Sequence, residues 1–203
     1  SFVVLNVGKW EKRKGHDVLV DIFNKAFTDK DNVELWLAPH NPFLTQQDVS
    51  EWEKTYLTSN LGHKIWIAPR LQTHHEVADL MGMADVGIFP SRAEGWNLEL
   101  LEMMALGKAV IATNYSAHTE YVNDDNCMLI DIDRNETAQD GKWFFGQGEW
   151  AHIGETQIEQ AVSQLRRAYK TFKEDGILAN LNGAATGQKY TWEHTTKLIL
   201  ENL

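Results

Sequence analysis

Over its first 131 residues the chain alternates short, nearly continuous apolar runs with stretches whose apolar residues recur every three or four positions. Runs of this length without a polar face suit strands buried on both sides of a sheet. The intervening stretches suit helices that bury one stripe. A chain that repeats this pattern builds βαβ units and a parallel sheet. Strands are expected at 2–7, 33–38, 64–68, 85–89, 109–113 and 127–131, and helices at 16–27, 46–57, 75–83 and 97–106. The first helix carries Val18, Leu19, Ile22, Phe23 and Ala26 on one face, and the second carries Val49, Trp52 and Tyr56. After residue 131 the rhythm breaks. Residues 132–154, with "DGKWFFGQGEW", read as a long loop or insertion, and a helix at 155–172 with one or two more completes the chain. The expectation is α/β: a single Rossmann-like, doubly wound parallel sheet of about six strands with helices on both faces, spanning 1–203.

Such a sheet binds ligands outside the carboxyl ends of its strands, where strand order reverses. Three loops are therefore of interest. The first, "GKWEKRKG" at 8–15, holds Lys9, Lys12, Arg13 and Lys14 between two glycines. Lysines on such a turn can pair with phosphate oxygens; the alternative is a solvated basic turn. It is neither a P-loop nor a dinucleotide fingerprint, which disfavours a Rossmann dehydrogenase. The second, "PSRAEGWN" at 90–97, leads into a helix that Asn97 is placed to cap, leaving N–H groups free for an anion. On a helical wheel Leu98, Leu101, Met104 and Ala105 form the buried side, Glu99 points away from it, and Glu102 lies on its shoulder. Glu94 and Glu102 can each accept hydrogen bonds from ligand hydroxyls; alternatively both are solvated surface acids. Gly107 reads as the residue ending that helix. In the third loop, "NYSAHTE" at 114–120, Ser116 can cap a short helix, and His118, with no nucleophile near it in sequence, suits a structural or substrate-orienting role.

A formal net charge of −10 argues against sequence-independent nucleic-acid binding. No apolar run approaches the roughly 18 residues of a membrane span. The single cysteine, Cys127, forms no internal disulfide and fits a reducing compartment. His74 and His75 are adjacent and diverge on a helix, so no metal site is expected. The chain begins at Ser1, inside what reads as the first strand, and is expected to be a piece of a longer one.

Together these pieces resemble the C-terminal, nucleotide-sugar-binding domain of a GT-B glycosyltransferase of the large retaining group called family 4. The likeness is close from Phe2 to Val122 and looser beyond. Its most specific element is the E-x7-E pair Glu94 and Glu102 within "PSRAEGWNLELLEMMALGKAVIAT". The second is Gly8-Lys9 with Lys14-Gly15, where the family usually has Gly-Arg and Lys-Gly at that spacing. The resemblance implies that Lys14, with Lys9 beside Gly8, holds the donor diphosphate. It implies that Glu102 accepts from ribose hydroxyls, that Glu94 contacts the donor sugar, and that Lys14 and Glu94 are the catalytic pair. Backbone N–H groups of Gly95, Trp96, Asn97 and Leu98 would bind sugar and phosphate, and Pro69, Arg70 and Leu71 would border the base. Lys9 in place of arginine, "APHNPF" without a glycine run and "NYSAHTE" without a glycine pair depart from the pattern.

The resemblance further implies a UDP- or GDP-sugar donor, no metal or other cofactor, and a glycan, lipid or small-molecule acceptor. The acceptor-binding N-terminal domain of the same enzyme is absent from this sequence. The expected location is cytoplasmic, with any membrane association carried by that missing domain. Competing readings are a sugar-nucleotide 2-epimerase of related fold, which would isomerise donor without acceptor, and a non-catalytic nucleotide-sugar-binding module. Trp143 and Trp150 are candidate gates to the crevice.

Overall fold

The computed structural model describes residues 1–202. Six strands form one parallel sheet: β1 (Phe2–Val7), β2 (Val33–Ala38), β3 (Ile65–Ile67), β4 (Val86–Phe89), β5 (Ala109–Asn114) and β6 (Met128–Asp131). Their order is β3-β2-β1-β4-β5-β6, and every neighbouring pair is parallel. The helices are α1 (His16–Ala26), α2 (Gln46–Leu57), α3 (His74–Met83), α4 (Leu98–Ala105), α5 (Glu155–Asp175), α6 (Leu181–Gly187) and α7 (Trp192–Glu201). A Rossmann-like α/β fold was expected, and it is what forms.

Alternate side chains of β1 enter different cores. Phe2 and Val4 pack with the buried stripes of α1 and α5, whereas Val3, Leu5 and Val7 pack with α3 and α4. Both sheet faces are thus covered, and the buried strands read as continuous apolar runs for that reason. Local chemistry starts two of the helices. Thr45 with Asp48, and Thr73 with Glu76, close reciprocal capping boxes on α2 and α3. Strand order reverses between β1 and β4. The loops leaving these two strands stand at that switch point, where such folds bind ligands.

Two expectations are corrected. Residues 132–154 are not a loop: β7 (Asn135–Gln139) and β8 (Phe145–Ala151) pair as an antiparallel hairpin outside the main sheet. Arg92 anchors it. This buried guanidinium grips Asp17 at 2.7 and 2.9 Å and donates to Lys12 O at 2.7 Å and to Glu136 at 3.4 Å. Trp150 Nε1 also donates to Glu136, and Ala151 N donates to Arg92 O. Trp150, 1% exposed, is therefore a packing residue and no gate; Trp143 stays on the surface. Second, α4 buries Leu100, Leu101, Met103 and Met104, while Leu98 and Ala105 are exposed. With seven apolar residues between 98 and 106, more than one apolar face can be drawn, and the packing against β4 and β5 selects this one.

His16, at the start of α1, is fully buried among Trp10, Trp52 and Tyr56. Its ring nitrogens face Tyr56 Oη at 3.0 Å and Gly8 O at 2.9 Å. Burial lowers its pKa from 6.5 to about 4, with Lys14 adding to the effect against the Gly8 hydrogen bond. The native state therefore resists a proton that the unfolded chain accepts. Stability is expected to fall as the pH drops from 6.5 to 4, by up to roughly 3 kcal/mol from this residue, and to level off below. Urea denaturation at pH 7.5 and 4.5 checks this. His16→Asn should flatten the difference, and an unchanged difference would contradict it.

Candidate functional site

The site forms where the β1–α1 loop meets the β4–α4 loop. Gly15 makes this approach possible. It sits at φ +81°, and a Cβ there would lie 2.1 Å from Pro90 O. Arg92 N donates to Arg13 O at 2.7 Å, fixing the two loops to each other.

At their junction lies Glu94, whose side chain is only 5% exposed. Lys14 Nζ lies 2.9 Å from Oε1 and Arg13 Nη1 2.7 Å from Oε2. Ser91 Oγ donates to Oε1 at 2.8 Å, and Glu94 N donates to Ser116 Oγ at 2.9 Å. Burial alone would raise the pKa of Glu94. The charges of Lys14 and Arg13, with hydrogen bonds from Lys14 and Ser91, outweigh it and hold the carboxyl below its ordinary range. For Arg13, burial is likewise outweighed by Glu94 and Glu11, and its pKa is raised. Lys14 also comes within 3.7 Å of Glu99.

Beside this cluster the α4 helix begins. Asn97 is its N-cap residue, at φ 68°, but its side chain makes no cap bond. It turns inward instead, and its Nδ2 lies 2.8 Å from His118 Nε2. His118 Nδ1 faces Thr113 O at 2.9 Å, so the neutral ring carrying its proton on Nδ1 satisfies both contacts. Burial lowers the His118 pKa, consistent with that neutral form. The α4 N-terminus thus keeps its first N–H groups uncapped by the Asn97 side chain and free for an anion. Gly95 is exposed, and an added Cβ there would meet nothing within 4 Å, so the surface beside it is open. Ser116, expected from sequence to cap the short helix after β5, does not; its hydroxyl accepts from Glu94 N instead.

A cleft of about 210 Å³ runs along the ends of β1, β2 and β3 and meets the cluster's edge at Glu99, 3.7 Å from Lys14 Nζ. Gly8, Lys9, Ala38, Pro39, Pro69 and Leu71 line it, together with Val77 and Glu99. Lys9 is exposed, with Nζ 5.4 Å over the Phe43 ring. Pro69 and Leu71 border the cleft, whereas Arg70 lines a neighbouring cavity with His40 and Asn41. Trp96 packs on Tyr121 and Tyr190, away from the cluster. Leu98 is exposed at the helix start.

Glu102 does not join the Glu94 cluster. It is exposed on α4, and partial burial followed by repulsion from Glu99 raises its pKa, opposed by His74. Glu99, expected to point elsewhere, is the α4 acid that lines the cleft and approaches Lys14. Sequence reading gave no role to Ser91 and none on Glu94 to Arg13, and it gave Ser116 only a helix cap. For Arg13 the signal was present, as one of four cations in the first loop; Ser91 carried none. Among the described residues, no three or more His, Cys, Asp or Glu side chains gather as a metal site, and no helix is long and apolar enough to cross a membrane.

Comparison with known proteins bears on family and fold. The chain is 24% identical over 200 residues to the alpha-maltose-1-phosphate synthase of Mycolicibacterium smegmatis, covering 98% of this chain and 46% of that protein. It spans about half the length of the curated relatives it matches. Among solved structures, the Anabaena protein HepE in complex with UDP and glucose superposes with a TM-score of 0.72 at 20% identity, covering all of this chain and 48% of that one. The C-terminal domain of a glycosyl transferase group 1 protein from Francisella tularensis superposes with a TM-score of 0.65 at 17% identity, covering 93% of this chain and 85% of that one. At these identities the likeness is one of fold, and the fold is that of GT-B glycosyltransferases. The profile described as "Glycosyl transferases group 1" matches residues 1–141, and the chain belongs to that family.

Proposed function

We propose that residues 1–203 are the donor-binding half of a retaining, family 4 hexosyltransferase that takes a UDP- or GDP-sugar. The observation that carries this reading is the buried Glu94, ionised between Lys14 and Arg13, beside an open helix N-terminus at the reversal of strand order. In this reading the α4 N–H groups, Lys14 and Lys9 receive the diphosphate. They stabilise the charge that grows on it as the sugar–phosphate bond breaks, without a metal ion. Glu94 accepts hydrogen bonds from the sugar hydroxyls and fixes the sugar's orientation. The cleft takes the nucleoside, with Pro69 and Leu71 against the base; Glu102, one turn along α4 from the cleft-lining Glu99, takes the ribose hydroxyls. Arg70 can reach the base only by leaving its neighbouring cavity. A glycan, lipid or small-molecule acceptor would enter from an N-terminal domain, which supplies the other wall of the transfer site. The same reading makes the enzyme cytoplasmic, with any membrane contact made through that domain. Support comes from the family match and from the likeness of fold to a UDP- and glucose-bound neighbour.

The 203 residues alone are expected to bind donor and to transfer no sugar. Joined to the N-terminal domain, they should transfer it with the anomeric configuration kept, read by NMR of the first product formed. Inverted product, or transfer by the 203 residues alone, would contradict the proposal. Glu102→Ala should weaken binding of a ribonucleoside diphosphate about tenfold, the scale of one charge-assisted hydrogen bond, and should leave a 2′,3′-dideoxy analogue unaffected. Equal losses for both would remove Glu102 from the ribose.

A further inference from the structure

We infer that Arg13 is a positioning residue for the sugar-binding carboxylate: it keeps Glu94 ionised and in place when Lys14 turns to the donor diphosphate. The inference rests on the donor-binding reading above and adds a residue to it.

The two cations on Glu94 are not equivalent. Each takes one oxygen, Lys14 at Oε1 and Arg13 at Oε2. Arg13 is clamped. Its Nε and Nη2 bond Glu11 Oε2 at 3.1 and 2.8 Å, and its Nη1 also donates to Ala93 O at 2.8 Å. A planar guanidinium held on three acceptors cannot swing toward a phosphate without breaking that set. Lys14 has a flexible stem, three donors and one short contact, with Glu99 no nearer than 3.7 Å. When a diphosphate arrives, Lys14 is the cation free to turn to it.

That movement would strip a cation from a carboxylate that is 5% exposed. A buried carboxylate left without a charge partner takes up a proton, so one of its oxygens becomes a donor and the charge that strengthens its hydrogen bonds is lost. The other titratable groups around Glu94 offer no replacement. His118, from the segment after β5, is buried and neutral, and Tyr121 behind it has its pKa raised by burial. Glu11 lies beyond Arg13, and Glu99, on α4, lies beyond Lys14; both are acids. Arg13 alone can keep Glu94 charged while Lys14 serves the diphosphate.

The test compares UDP-glucose with UDP, and GDP-mannose with GDP, by calorimetry on the 203-residue chain from pH 5 to 8. The ratio of dissociation constants within a pair isolates what the sugar contributes. In wild type this contribution should persist to low pH, because the Glu94 carboxyl is held below its ordinary range and is lost as an acceptor only when the pH falls through its pKa. In Arg13→Gln the ratio should drop about tenfold at neutral pH, as for a lost charge-assisted hydrogen bond. Its decline on the acid side should begin at higher pH, while the parent diphosphate changes far less. Arg13→Lys should restore most of the ratio. A purely structural ion pair would not separate sugar from diphosphate or move the acid limb. An Arg13→Gln ratio and pH profile equal to wild type would overturn the inference, as would a wild-type ratio of one. Should Arg13→Gln fail to fold, Glu11→Gln, which unclamps Arg13 but keeps its charge, decides together with Arg13→Lys: smaller losses in the same ratio support it, and unchanged ratios in both overturn it. Absence of all nucleotide binding by the wild-type chain would sink the donor-binding reading itself, and this inference with it.

Discussion

Lys14→Ala is expected to lower affinity for a nucleoside diphosphate about a hundredfold while leaving the chain folded. Lys14 is nearly buried, on the β1–α1 loop beside the uncapped start of α4. A charge-assisted contact to phosphate at such a site contributes about 1.5–3 kcal/mol, which at 1.4 kcal/mol per decade is one to two decades. The upper end is expected because Lys14 is only 7% exposed, so its charge is little screened by bulk water. The fold survives because Glu94 keeps Arg13 and Ser91 as partners, so no buried carboxylate is left bare. Calorimetric titration beside a urea melt separates the two effects. Unchanged affinity would remove Lys14 from the diphosphate site.

The second large effect is on stability. Gly15→Ala is expected to cost about 3–5 kcal/mol, the range of severe single substitutions. At φ +81° any Cβ is strained, and here it would also lie 2.1 Å from the carbonyl oxygen of Pro90. That oxygen belongs to backbone and cannot rotate aside as a side chain could. The two crevice loops would have to part, and Arg92, which ties them to each other and to the β7–β8 hairpin, would lose its fit. A shift in the urea midpoint measures the cost, and a loss below about 1 kcal/mol would show that the loops are not set by this contact.

Much of this arrangement was legible in the sequence. The six strands of the main sheet could be read because parallel strands covered on both faces leave continuous apolar runs, as in "FVVLNV" and "AVIATN". Lys14 and Glu94 could be placed because both sit in loops that follow such strands. The hairpin was hidden for the opposite reason. In β7 only Ala138 is buried, and β8 exposes its first five residues, with Gly146 and Gly148 at positive φ, so neither strand carries an apolar alternation. The face of α4 was misread because apolar residues surround it on nearly every side. That error moved Glu99 away from the cleft it lines. Asn97 was correctly placed at the helix start, yet its side chain serves His118, a partner twenty-one positions away that no local pattern announces.

The central claim is that the Lys14–Glu94 cluster and the α4 N-terminus form a nucleotide-sugar site. Its most direct test is a calorimetric titration of UDP, GDP and ADP into the wild-type chain, followed by the sugar conjugate of whichever binds. The account predicts selective binding of UDP or GDP, tightened by the attached sugar and weakened by Lys14→Ala. No binding of any of the three at millimolar concentration, or binding that Lys14→Ala leaves untouched, would contradict it.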